Sequence, residues 1–175
     1  TGLGNAVGQF SATGITGLTT TQLQTGWAGD LGGAFSGGTG LYPYLTSIFA
    51  HGIQVVSGFA YADAGATPLG QGGTVGAILA GSSLGTVSTG ANGYYYLAVA
   101  PGTLTNGTAL LTYSSANSAL VSKATGAGVQ SAALYGNTLT APTSALLYSL
   151  ASVDARANAT AAAGGVAAAI SAING

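Results

Sequence analysis

Two rhythms of apolar and polar positions divide this chain. Between positions 53 and 135, short runs of branched, aromatic and small apolar residues recur at 53–61, 74–79, 84–89, 94–99, 109–113, 120–125 and 131–135, each closed by Gly, Asn, Ser or Pro. Such runs predict strands, and short strands at this spacing predict a sandwich or barrel. The centre of the pattern is 84–102, LGTVSTGANGYYYLAVAPG. There Asn92-Gly93 predicts a two-residue type I′ hairpin joining 84–89 to 94–99, since that turn needs positive φ at both positions. Pro101-Gly102 stops the second strand because proline cannot donate to a ladder. Turns are expected at 62–67, where Asp63 and Gly65 supply the chemistry, and at 81–83.

The flanks read differently. Residues 1–17 alternate small and apolar positions among glycines and predict short strands with turns. Residues 18–24 predict a helical turn capped by Thr19 or Thr20, with Leu18, Leu23 and Trp27 turned inward. A flexible glycine-rich loop is expected over 29–40, then an apolar return at 41–49 around a turn at Pro43. From 141 onward the period becomes helical: Leu146, Leu147 and Leu150 share one face of 144–153, and 154–173 is mostly alanine, the best helix former. Gly164-Gly165 would kink that stretch, and Asn174-Gly175 would cap it. The organisation is therefore a Gly-rich segment over 1–52, a β-sandwich over 53–140 and an Ala-rich helical tail over 141–175, mainly β in class.

Charge changes the picture most. Only Asp30, Asp63, Lys123, Asp154 and Arg156 are charged, 3% of 175 residues, against roughly 25% in an average soluble protein. A surface this neutral lacks the repulsion that keeps proteins apart, so self-association into a homopolymer is the expectation. Two cations cannot supply the several phosphate contacts on which nucleic-acid binding depends. With no Cys or Met the chain has no thiol or thioether chemistry, which suits an extracellular product. It opens at Thr1 without a signal-peptide pattern, as a processed form or an excised segment would. The longest apolar stretch, 159–173, is interrupted by Thr160, Gly164, Gly165 and Ser171 and falls short of the ~20 apolar residues of a membrane span.

Candidate chemistry is sparse. His51 is the single histidine, no G-x-S-x-G motif accompanies it, and it reads as closing a turn before the first strand. Asp30, Asp63 and Asp154 lie in three separate regions, unlike the paired carboxylates of a glycosidase. No D-x-D-x-D-G series is present, and backbone-rich Ca²⁺ binding around Asp63 stays open as an alternative; no metal, cofactor or catalytic residue is assigned. Candidates for an interaction surface are Tyr94, Tyr95 and Tyr96, where strand alternation sets Tyr95 opposite the other two. Val7, Phe10 and Ile15 of the N-terminal segment are candidates for strand addition to a neighbour's sheet edge, and Val166 and Ile170 for packing of the alanine-rich tail.

Two stretches resemble known families. Gly17-Leu18-Thr19-Thr20-Thr21-Gln22-Leu23-Gln24, then Trp27, a Gly-rich stretch and Tyr42-Pro43-Tyr44-Leu45, resembles a junction in filamentous-haemagglutinin-like bacterial surface proteins, which are exported adhesins. Val56-Ser57-Gly58, Tyr61, Asp63, Pro68-Leu69, Thr89, Ala91-Asn92-Gly93-Tyr94 and Ala100-Pro101-Gly102 resemble the prealbumin-like, carboxypeptidase-regulatory or CnaB-like β-sandwich modules of bacterial surface proteins. The resemblance implies an Ig/prealbumin-like sandwich acting as a spacer or stalk unit. It departs from the isopeptide-forming pattern: Lys123 is the single lysine and there is no Glu. Together these readings lead to the expectation of a non-enzymatic structural subunit of a secreted bacterial fibre or surface matrix. The alternative is an adhesin or carbohydrate-binding module that uses exposed tyrosines on host or matrix glycans.

Overall fold

A computed structural model describes residues 18–25, 31–79 and 82–140. The chain divides after Gly52 into two compact units.

In the first unit a single helical turn, α1 (Thr20–Leu23), starts from Thr19. The Thr19 side chain accepts from the Gln22 N–H at 3.3 Å, and the Thr19 N–H donates to Gln22 Oε1 at 2.9 Å. This capping box satisfies two donors that a helix start leaves orphaned. Next, β1 (Phe35–Gly38) pairs antiparallel with β2 (Leu41–Leu45). Part of the expected 29–40 loop is thus strand, because pairing occupies backbone groups that a loop would leave to water. Pro43 lies inside β2 rather than at a turn. Each strand of a two-stranded ribbon has an open side, where a missing N–H costs no ladder bond.

The second unit holds β3 (Gln54–Phe59), β4 (Thr74–Leu79), β5 (Ser82–Ser88), β6 (Tyr94–Val99), β7 (Ala109–Ser114), β8 (Ser118–Lys123), β9 (Gly128–Val129) and β10 (Leu139–Thr140). They form a five-stranded sheet of order β10-β8-β7-β4-β5 and a three-stranded sheet of order β6-β3-β9. Pairing is antiparallel except that β10 runs parallel to β8 and β9 parallel to β3. Both sheets feed one core. Val75, Ala77 and Leu110 come from the larger sheet, Val56, Tyr95 and Leu97 from the smaller, and Leu104, Ala124, Ala132 and Leu134 from the connections.

One buried polar side chain fastens two of those connections. Gln54 Nε2 donates to the carbonyls of Leu104 at 3.0 Å and Gly126 at 2.7 Å, while Gln54 Oε1 accepts from the Leu104 N–H at 2.7 Å. The loops from β6 to β7 and from β8 to β9, which carry the chain between the sheets, are therefore both tied to β3.

The Asn92-Gly93 turn does not join paired strands. β5 and β6 belong to different sheets, so the turn is a crossing. Of the two residues only Gly93 has positive φ, +77°, whereas a type I′ turn requires it of both. The Gly93 N–H donates to the Gly90 carbonyl at 2.9 Å, and Asn92 Oδ1 accepts from the Tyr94 N–H at 3.1 Å. Gly93 is also pressed against its surroundings: a Cβ there would stand 2.4 Å from the Ala60 carbonyl oxygen. Ala60 in turn donates to the Gly93 carbonyl at 2.9 Å and accepts from the Leu69 N–H at 2.8 Å. The Thr89 hydroxyl lies against the carbonyls of Gly70 and Gly73. Turn, 68–73 loop and end of β3 thus converge on one corner. Consecutive strands that do pair antiparallel are instead β4–β5, where Leu79 pairs with Ser82, and β7–β8, where Ser114 pairs with Ser118 and Asn117 takes φ +54°.

Other boundaries shift with the pairing. Ser82 and Ser83, expected in a turn, open β5 opposite Leu79 and Ile78. The strand expected at 120–125 runs from Ser118 to Lys123 because the Asn117 turn fixes its start. In place of a strand over 131–135 there are the short β9 and a single parallel bridge from Leu134 to Ala60, with Ser131 at φ +60° breaking the run between them. The strands expected over 1–17 and the helix expected over 144–173 lie outside the described residues.

Candidate interaction surfaces

Register decides what the three tyrosines face. Tyr94, Tyr95 and Tyr96 of β6 pair with Phe59, Gly58 and Ser57 of β3. Tyr95 points into the core, 1% exposed, and its hydroxyl donates to the buried Ala132 carbonyl at 2.6 Å. Burial, and secondarily the neighbouring Tyr94, raises its phenol above the ordinary range. Tyr95 is therefore a tie between β6 and the 131–135 segment and is closed to any ligand, which corrects its placement on an exposed surface. That segment passes so close to β3 that a Cβ at Gly58 would stand 2.0 Å from the same Ala132 oxygen.

Tyr94 and Tyr96 take the opposite face and are half-buried. The Tyr94 ring meets Phe59 edge-on, with centroids 5.3 Å apart, and Phe59 is 40% exposed. Two residues beyond Phe59, Tyr61 stacks on Tyr135 at 5.5 Å with planes 9° apart. Phe59 is the exposed member of these contacts and Tyr94, Tyr61 and Tyr135 are half-buried, an aromatic surface suited to stacking on apolar or sugar CH groups. Sequence reasoning singled out Tyr94 and Tyr96 but missed Phe59, Tyr61 and Tyr135. The pairing of 54–59 with 94–99 was the signal that would have found Phe59.

Asp63 is a turn residue. Its Oδ1 accepts from the N–H groups of Gly65 at 3.0 Å and of Ala66 and Thr67 at 2.9 Å each. Hydrogen bonds from the Thr67 backbone, then its side chain, and from Gly65 and Ala66 hold the carboxyl down to about 2. His51 is exposed within a turn where the Gly52 N–H donates to the Phe49 carbonyl at 3.0 Å. Lys123 ends β8, exposed and opposite Ala109. Among the described residues no group of three or more His, Cys, Asp or Glu gathers to hold a metal ion, and no helix is long and apolar enough to cross a membrane. Val7, Phe10, Ile15, Val166, Ile170, Asp30, Asp154 and Arg156 lie outside the described residues.

The remaining surface of interest is an edge. β5, SSLGTVS, borders the five-stranded sheet, and five of its seven residues are exposed. It carries no charge and no proline, two devices by which natural edges avoid pairing with other chains. Its irregularity is a bulge at Leu84-Gly85 opposite Ala77 and Ile78, with Gly85 at φ +106°. In the first unit Leu45, Ile48 and Phe49 add exposed apolar surface, Ile48 at 67%.

The chain matches no protein-family model, no curated protein and no solved structure.

Proposed function

We propose that this chain is a structural, self-associating module of a secreted bacterial fibre or surface matrix, its two sheets forming a prealbumin-like sandwich. The observation that carries the reading is β5: an exposed seven-residue edge with neither charge nor proline. A neighbour's extended segment can add to such an edge through main-chain hydrogen bonds. The scarcity of charge supports it, since residues 53–140 contain only Asp63 and Lys123 as charged side chains. Head-to-tail addition at an edge gives an open filament rather than a closed ring.

The test is a dilution series of the full chain in the analytical ultracentrifuge with electron microscopy of the concentrated samples. Concentration-dependent association into fibres, reduced by Thr86→Lys on the exposed edge, is expected. A chain that stays monomeric at every concentration ends the proposal.

The outward aromatic group favours a second reading, binding of glycans at Phe59, Tyr94 and Tyr61. Binding on a glycan array that is lost in Tyr94→Ala supports it, and no binding across the array refutes it.

A further inference from the structure

The five-stranded sheet carries buried apolar side chains on both faces. Alternation and register set Val75, Ala77 and Leu110 toward the shared core and Ile78, Leu111, Tyr113, Ala119 and Val121 on the other side. These five outward side chains, on three adjacent strands β4, β7 and β8, are nevertheless only 2–8% exposed. The main packing of those strands is with one another and with β5 and β10. Sheet neighbours lie in the plane and cannot cover a face, so the cover comes from outside the sheet. It has a defined width: on β5 the outward positions Ser83, Thr86 and Ser88 are polar and exposed. The Tyr113 ring lies across Gly76, where a Cβ would come within 2.5 Å of it. Its buried hydroxyl has no hydrogen-bond partner among the described residues, so whatever covers this face has a polar group to meet there.

We propose that this face is the docking surface for the chain's own C-terminal segment, residues 144–153, laid across β8, β7 and β4. Position argues for it first. Thr140 lies beside Leu120 of β8, so the chain leaves the sheet next to Ala119 and Val121. Three intervening residues, Ala141, Pro142 and Thr143, reach about 10 Å, the distance that separates packed layers. Size argues second. Three strands at about 4.8 Å spacing span ~10 Å, and ten residues in the helical geometry that their spacing predicts are about 15 Å long. Chemistry argues third: Leu146, Leu147 and Leu150 supply the apolar stripe that such a face requires.

Adjacent residues of β7 make a test with a built-in control. The chain contains no cysteine, so single thiols at Leu111→Cys, outward, and Leu110→Cys, in the shared core, report the two faces separately. Both thiols are expected to react slowly in the full chain. In a chain ending at Thr140, or in full-length Leu146→Asp/Leu150→Asp, the Leu111→Cys thiol should react at least about tenfold faster while Leu110→Cys stays protected. Equal protection of Leu111→Cys with and without the segment overturns the proposal. So does protection of the full chain that disappears on dilution, because a second copy would then be the cover. If truncation frees both positions together the unit has unfolded, and the aspartate variant decides by the same criteria: release of Leu111→Cys alone supports docking, and release of both or neither overturns it.

Discussion

Replacing Gln54 by leucine removes one side chain and strands three backbone groups. The Leu104 N–H and carbonyl both depend on that amide, and Leu104 is 1% exposed, so water cannot take its place. Each buried group left without a partner costs about 1–3 kcal/mol. The Gly126 carbonyl belongs to an exposed residue and can turn to solvent, so it adds little. Leucine returns part of the loss as apolar burial, about 1–2 kcal/mol. The net is a destabilisation of about 3 kcal/mol. With a urea slope of about 1–1.5 kcal/mol per M for a unit of this size, the midpoint should fall by ~2–3 M. Urea titration of the full chain, followed by the near-ultraviolet circular dichroism of its aromatic side chains, measures it.

Gln54→Glu isolates the donor half of the clamp. A carboxylate still accepts from the Leu104 N–H but cannot donate to the two carbonyls, whereas the protonated acid donates to one. Burial and the facing carbonyls raise the folded-state pKa of this glutamate above its unfolded value of about 4.3. The variant should therefore be most stable below about pH 4 and weaken as pH rises through the folded pKa, a trend absent from the parent at this position. A Gln54→Leu midpoint within about 0.5 M of the parent would refute the reasoning, since that corresponds to less than one net hydrogen bond.

Four further predictions rest on the other fixed points. Tyr95→Phe keeps the ring but strands the Ala132 carbonyl, and should lower stability by about 1–2 kcal/mol in the same titration. Gly93→Ala must shift the Ala60 carbonyl and hold φ +77° with a side chain, and should cost on the order of 2–4 kcal/mol. By contrast Asn92→Ala, which loses one exposed hydrogen bond, should cost under about 1 kcal/mol. The Asp63 carboxyl should titrate near 2 by carbon-detected NMR. Its contribution to stability is present above the ordinary value of 3.8 and is lost as pH falls toward about 2, and an unshifted titration would contradict the three-donor turn.

How much of this was legible in the sequence depends on whether the signal was local. The strands at 74–79 and 94–99, the capped turn at 18–24 and the Asp63 turn were all readable, because each rests on residues within one short window. The role of Asn92-Gly93 was not. A dipeptide reports that a turn needs glycine, but whether the flanking strands pair or part is settled by β3 and β4, residues away in sequence. Gln54 was hidden for the same reason, since its partners are fifty and seventy-two positions distant. Tyr95 was half legible: alternation separated it from Tyr94 and Tyr96, but only the pairing with β3 shows which side is the core.

The two proposed surfaces act in perpendicular directions on the same sheet. Cover by residues 144–153 lies over the face of β8, β7 and β4, on the side where β10 carries the chain away. Edge addition takes place in the plane, at β5 on the far side. The exposure of Ser83, Thr86 and Ser88 marks where the cover stops, and those residues are the ones an added strand would run beside. A chain that closes this apolar face with its own tail while leaving an uncharged edge open associates at that sheet through backbone pairing rather than through burial of the face. Backbone pairing between uncharged edges is little affected by ionic strength, because screening acts on charges and β5 has none. Face-to-face association through an uncovered sheet would instead strengthen in salts excluded from protein surface. The salt response of assembly therefore distinguishes growth at the edge from failure of the cover, even where both produce aggregates of similar appearance.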